Sequence, residues 1–139
     1  MGTRLAGLYV TEGTDIITID DMEHLRQWTI AADSGADAQL ETDSIEIKVS
    51  GDQFAQATLS FLGEEDVTYY AELRVNGAIV GQRLITGVTV TQADALHTMV
   101  VIGAGRLNAG DKVSIYVGSN AVGGATFQLV YGQFGVMSL

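Results

Sequence analysis

Residues Tyr69–Ile85 read YYAELRVNGAIVGQRLI, and the Asn76-Gly77 pair inside this run decides how the rest of the chain is read. Both residues tolerate the positive φ of a two-residue hairpin loop, and both flanks alternate apolar with polar side chains. With Asn76-Gly77 as the whole loop, Val75 stands opposite Ala78, Leu73 opposite Val80, Ala71 opposite Gln82 and Tyr69 opposite Leu84. That side of the ribbon reads as core, because successive side chains of a strand point to opposite faces. The other side sets Tyr70 beside Arg83, Glu72 beside Gly81, Arg74 beside Ile79 and Thr68 beside Ile85. Ile79 and Ile85 are too apolar for a purely solvated face, so a second surface, from another strand or another subunit, is expected over them. Tyr70 and Arg83 are placed for a structural cation–π contact.

Strand texture extends both ways from this ribbon. Ile45, Ile47 and Val49 alternate with Glu46 and Lys48, and Ser50-Gly51-Asp52 reads as a turn. Phe54–Leu62 follows with Ala57, Leu59 and Phe61 on one face, and 63–66 (GEED) closes a loop. Beyond Ile85, Val88-Thr89-Val90 and Leu96–Ile102 read as strands, the second ended by Gly103-Ala104-Gly105. Turns at Asn108–Asp111 and Gly123-Gly124 flank an alternating strand that carries Val113, Ile115 and Val117. In the last run, Ala125–Leu139, Phe127, Leu129 and Tyr131 fall on one face and Val130, Phe134 and Val136 on the other. It reads as covered on both sides, hence central or at a subunit interface.

The first 43 residues lack sustained periodicity and read as an irregular arm with short strands, in front of a strand-rich domain over 44–139. Asp20-Asp21-Met22-Glu23 matches a capped helical turn, with Met22 and Leu25 on one side. Ala31–Asp43 (AADSGADAQLETD) reads as a loop. About eight strands separated by turn signals point to an all-β, antiparallel sandwich or jelly roll; no helical stretch is long enough to cross between parallel strands.

Composition narrows the function. There are no cysteines and no prolines in 139 residues, so disulfides and thiolate chemistry are excluded. The start shows neither a signal peptide nor a membrane span, and the chain is expected to begin near Met1 in a cytosolic synthesis context. The net charge of −10 is uneven: residues 1–66 hold 14 acidic and 3 basic side chains, residues 67–139 hold 3 and 4. Such a field repels phosphate backbones, so direct nucleic-acid binding is not expected and a basic protein surface or cations suit it better.

Catalytic signals are sparse. Gly103-Ala104-Gly105 after an apolar strand opens like a dinucleotide fingerprint, but Asn108 stands at the third glycine position and a strand, not a helix, follows. His24 and His97 have no metal-ligand spacing, and no nucleophile elbow is present. The acidic groups around Asp20, Asp33–Asp43 and Glu64–Asp66 lack the calcium-loop pattern and read as solvated charge. No catalytic residue, cofactor or metal site is expected.

The order ELRVNGAIVGQRLI, then Leu107–Ile115 (LNAGDKVSI), then a glycine turn and FQLVYGQFGVMSL resembles the C1q/TNF-like jelly roll, in which an L-x-x-G-D-x-V-x-L strand and an aromatic-rich final strand recur. The resemblance spans about Ser44–Leu139. It implies oligomerisation, as a trimer or a dimer. Without a signal peptide, collagen-like stalk or cysteine, the chain looks like the small jelly rolls of tailed-phage virions. The resemblance then implies a capsid cement or decoration protein, made in the host cytoplasm and bound to the major capsid protein on the outer surface of the virion. Contacts with the shell are expected from the arm (Leu5, Leu8, Val10, Ile16, Ile17, Ile19) and from Asp20, Asp21, Glu64, Glu65 and Asp66, the arm adding a strand to a neighbour's sheet edge. Self-association is expected through Ile79, Ile85, Tyr116 and Phe134. The rival reading is a receptor- or carbohydrate-binding head of a phage fibre, for which Trp28 is the candidate stacking platform.

Overall fold

The structure is a computed structural model that describes residues 4–12, 16–25, 29–33, 38–41, 44–77 and 85–138. Its strands are β1 (Arg4–Glu12), β2 (Ile17–Ile19), β3 (Glu23–His24), β4 (Thr29–Asp33), β5 (Ala38–Glu41) and β6 (Ser44–Ile47), followed by β7 (Gly51–Gly63) and β8 (Thr68–Val75). β9 (Ile85–Thr89), β10 (His97–Leu107), β11 (Lys112–Ser119) and β12 (Ala125–Ser138) complete the set. They form two antiparallel sheets, ordered β10-β7-β12-β1-β4 and β5-β6-β11-β8-β9, with β2 added to β12 and β3 to β11. The chain is an all-β jelly-roll sandwich.

Period-two patterning builds the core between the sheets. Ala57, Leu59 and Phe61 of β7, Tyr69 and Ala71 of β8, Val113 and Ile115 of β11 and Phe127 and Leu129 of β12 are buried. Each large side chain removed from water contributes about 1.5–3 kcal/mol. Phe61 anchors an aromatic cluster, its ring centroid 5.1 Å from both Phe127 and Tyr69.

Several local expectations are corrected. Asn76 and Gly77 do adopt positive φ, 55° and 75°. Yet β8 pairs β9 as Thr68↔Thr89, Tyr69↔Val88, Tyr70↔Gly87 and Glu72↔Ile85, four residues beyond the register of a two-residue loop. Asn76 is engaged by β11. Its backbone N–H donates to the Lys112 carbonyl at 2.7 Å, its Oδ1 accepts from the Lys112 N–H at 2.9 Å and its Nδ2 donates to Asp111 Oδ1 at 3.1 Å. The residue fastens the end of β8 to the start of β11. An even shift preserves which face each residue takes, so Tyr69, Ala71 and Leu73 still point inward. Gly87, not Arg83, stands opposite Tyr70, and 78–84 lie outside the described residues.

The segment 20–23 forms no helical turn: Glu23-His24 pairs with β11 across Val117 and Tyr116. Backbone pairing to an existing sheet satisfies the amides that a lone turn would leave open. Ala31–Asp43 likewise contributes to β4 and β5, through pairing with β1 and β6 that its small polar residues do not advertise. Gly103–Gly105 do not end their strand; β10 runs on to Leu107, matched residue for residue to β7 as far as Gly51.

The last strand is central, between β7 and β1, but it is not covered on both faces. Its pairing with β7 passes from Leu129↔Phe61 to Tyr131↔Ser60, leaving Val130 as an extra residue. This bulge reverses the inward parity from Phe127 and Leu129 to Phe134 and Val136. One buried face thus looks like two when the strand is read as unbroken.

Candidate functional site

Strands β10, β7 and β12 turn one side to the core and the other outward. In register, the outward rows are Thr98-Ser60-Tyr131, Val100-Thr58-Gln133, Ile102-Gln56-Gly135 and Ala104-Phe54-Met137. None of these side chains is charged, in a chain whose residues are 17% charged. Val100, Ile102 and Tyr131 remain 42%, 52% and 41% exposed. This uncharged patch, bounded on the same face by the exposed pair Arg106 and Asp52, combines exposed branched and aromatic side chains with the charge depletion of the centre of a protein–protein interface. In the sequence the only signal of this patch is that 54–62, 98–104 and 125–138 contain no Asp, Glu, Lys or Arg.

The second feature lies at one end of the sandwich, where β7 stops at Gly63, β8 starts, β11 stops at Ser119 and β12 starts. Asp20, Asp21, Glu64, Glu65, Asp66 and Asp94 are exposed there, with no Lys or Arg among the described residues of that end. Arg4, Lys48, Arg106 and Lys112 instead belong to the opposite end, mixed with Glu46, Asp52 and Asp111. Five of the amino-terminal carboxylates, Asp20, Asp21, Glu64, Glu65 and Asp66, thus stand with Asp94 at one end, and a field of that sign attracts positive charge.

Local chemistry fixes the acidic loops. The Tyr69 hydroxyl accepts from the Glu64 N–H at 2.8 Å and donates to the Thr126 carbonyl at 2.6 Å. The Glu64 carboxylate in turn accepts from the Thr126 N–H at 2.6 Å. Burial pushes the Tyr69 phenol pKa above its ordinary 10.0; the nearby Glu64 carboxylate adds to the rise and the Glu64 N–H opposes it. Glu64 thus serves its own loop, whereas Glu65, Asp66 and the Asp20-Asp21 pair face solvent. Asp20 and Asp21 border an open cleft of about 260 Å³ with Met22, Tyr70, Ile85, Gly118 and Ser119. Gly118 lets the chain cross closely, since a Cβ there would lie 2.8 Å from Met22 Sδ and 3.1 Å from its backbone N. Its place inside the alternating β11 run gave no hint of that approach.

The other expected contacts scatter. β1, which holds Leu5, Leu8 and Val10, is hydrogen-bonded to β12 on one edge and β4 on the other, so over Gly7–Val10 neither edge is open to a neighbour's strand. Ile16 is 64% exposed, Ile17 is half-buried and Ile19 is buried in the core. Among the self-association candidates, Phe134 is corrected: it is fully buried within its own protomer, because the Val130 bulge turns it inward. Tyr116 is half-buried, with the Arg74 guanidinium 4.2 Å above its ring and the His24 ring stacked on it at 5.2 Å. Ile85 is 41% exposed, at the cleft rather than on the uncharged sheet face. Ile79 and Trp28 lie outside the described residues.

His97 accepts from the Thr91 N–H through Nε2 at 3.2 Å, with Nδ1 3.0 Å from the Ala95 carbonyl, and so shapes the loop before β10. Among the described residues no group of three or more His, Cys, Asp or Glu side chains converges as a metal site, and no helix is long and apolar enough to cross a membrane.

This arrangement defines a class by its fold. The TNF of the Eiger type from S. frugiperda superposes with a TM-score of 0.65 at 17% identity, over 98% of this chain and 93% of that one. Murine APRIL gives 0.60 at 14% identity, over 93% and 98%. The globular domain of zebrafish complement 1qA gives 0.59 at 17% identity, over 94% of each chain. The chain has the TNF/C1q-like jelly-roll fold. No protein-family model and no curated protein matches its sequence.

Proposed function

We propose that this chain is a non-enzymatic, self-associating jelly-roll module that works by protein–protein contact, and that it braces a phage head lattice as a capsid cement protein. The observation that carries the reading is the segregation of charge: four successive outward rows of β10-β7-β12 carry none, and one end of the sandwich holds acidic side chains with no Lys or Arg among its described residues. The uncharged face of β10-β7-β12 joins copies into a dimer or trimer, burying Val100, Ile102 and Tyr131. The oligomer then presents its acidic ends together, and repetition makes individually weak contacts with a basic lattice strong. Asp20, Asp21, Glu65 and Asp66 are the contact residues on this side.

Sedimentation of the purified protein, alone and mixed with expanded capsid shells, tests both halves. A discrete oligomer that saturably co-sediments with shells, less so at high salt, is the expected result. An oligomer that ignores shells would overturn the capsid assignment and leave self-association standing. A strict monomer would overturn the assignment of the uncharged face.

A further inference from the structure

The Asn76-Gly77 pair carries covalent chemistry as well as a turn. An asparagine followed by glycine is open to attack on its Cγ by the next backbone nitrogen, because glycine brings no Cβ to shield that nitrogen. The chain has three asparagines, and Asn108 and Asn120 are each followed by alanine. Asn76 alone has the labile neighbour, and both residues of the pair are exposed to water. In the reaction the Gly77 nitrogen gives up its proton and bonds to Asn76 Cγ, while the Cγ–Nδ2 bond breaks and Nδ2 leaves with that proton as ammonia. Water then opens the five-membered imide at either carbonyl, leaving an aspartate at position 76 or its isomer linked through the side chain.

The fold holds the reacting group still. Asn76 Oδ1 accepts from the Lys112 N–H at 2.9 Å and Nδ2 donates to Asp111 Oδ1 at 3.1 Å, on a backbone with φ of 55°. Ring closure needs the amide turned until the Gly77 nitrogen stands about 3–3.5 Å from Cγ along an aligned approach. Both bonds resist that rotation.

Asp111 sets the consequence. Its Oδ2 accepts from the Asn108 N–H at 2.9 Å, which keeps Oδ1 aimed at position 76. An ionised carboxylate has no hydrogen to donate. Conversion of Asn76 to the acid therefore replaces a hydrogen bond by two negative oxygens face to face, at the point where the end of β8 is tied to the start of β11.

We infer that Asn76 is a site of spontaneous deamidation, restrained by its bonds to Lys112 and Asp111, and that conversion to the acid loosens the tie between β8 and β11. This goes beyond the proposed capsid role and does not depend on it.

Incubating the full chain at mildly alkaline pH, folded and in urea, and following the tryptic peptide 75–83 by mass spectrometry tests the site. The amide-to-acid mass gain is expected in that peptide, with the side-chain-linked isomer among the products, about tenfold or more slowly in the folded chain, as the loss of two hydrogen bonds implies. No gain in the unfolded chain would overturn the site, and equal rates in both states would overturn the restraint. Asn76→Asp supplies the product directly and should lower the urea midpoint at neutral pH. Adding Asp111→Asn exchanges the partners: the new amide can donate to the acid at position 76 while its oxygen still accepts from the Asn108 N–H, so most of the loss should be recovered. A single variant as stable as the native chain, or a loss that the exchange does not repair, would overturn the loosening.

Discussion

The ring of Tyr69 occupies the space that a side chain on Gly63 would need: a Cβ there would lie 2.5 Å from Cε2 and 2.7 Å from Cζ. The ring has little room to retreat, because it packs on Phe61 and Phe127 and its hydroxyl is held by Glu64 and Thr126. Gly63→Ala should therefore cost about 1–3 kcal/mol, as overpacking of a filled core does. Urea unfolding at neutral pH measures it, with an unchanged slope and a lowered midpoint as the expected signature.

Removing the hydroxyl probes the same corner from the other side. Tyr69→Phe leaves the Thr126 carbonyl and the Glu64 N–H without their partner and should cost about 1–3 kcal/mol. It should also change the alkaline limb of stability. The phenol pKa is raised in the folded chain, so the unfolded chain releases this proton first. The stabilisation linked to that difference is full below pH 10.0, the ordinary value, and is lost as pH climbs through the raised folded value. Thermal unfolding followed from pH 8 upward should fall more steeply in the native chain than in Tyr69→Phe above that point.

The uncharged sheet face makes a separable prediction. Val100→Glu or Ile102→Lys places a charge at an exposed position, so the protomer should lose no more than about 0.5 kcal/mol. The oligomer should dissociate, which sedimentation equilibrium reads directly. Phe134→Ala is the contrasting variant. It hollows the protomer's own core and should cost about 3–5 kcal/mol whatever the oligomeric state.

At Asn76, backbone conformation and side-chain bonding can be pulled apart. Asn76→Gly keeps the positive φ and loses the side-chain bonds to Lys112 and Asp111, whereas Asn76→Ala loses the same bonds and must hold a left-handed backbone with a Cβ. Alanine should be less stable than glycine by about 1–2 kcal/mol. Equal midpoints in chemical denaturation would mean that the turn relaxes to another conformation.

Much of the sandwich was legible because its middle strands obey a period of two. Ala57, Leu59 and Phe61, and likewise Val113, Ile115 and Val117, point inward as their alternation requires. The register of β9 against β8 was not legible, since the sequence shows that Asn76 can turn but not that its amide is claimed by β11. Residues 23–24, 29–33 and 38–41 pair through their backbones, and their side chains carry no repeating pattern to announce it. The acidity of the first half was plain, but the meeting of Asp20 and Asp21 with Glu64, Glu65 and Asp66 depends on β2 joining the start of β12 beside the loop after β7. The uncharged face needed three distant strands to be laid side by side before it meant anything.

The unpaired Val130 gives β12 one position at which its length is negotiable. Deleting any residue within the matched halves of the strand would exchange inside for outside along everything beyond it. Deleting Val130 would bring Phe127 and Leu129 into ordinary alternation with Gly132, Phe134 and Val136, with the same side chains still facing the core. A one-residue shortening at Val130 would therefore be absorbed at the centre of the sheet without turning a buried side chain outward.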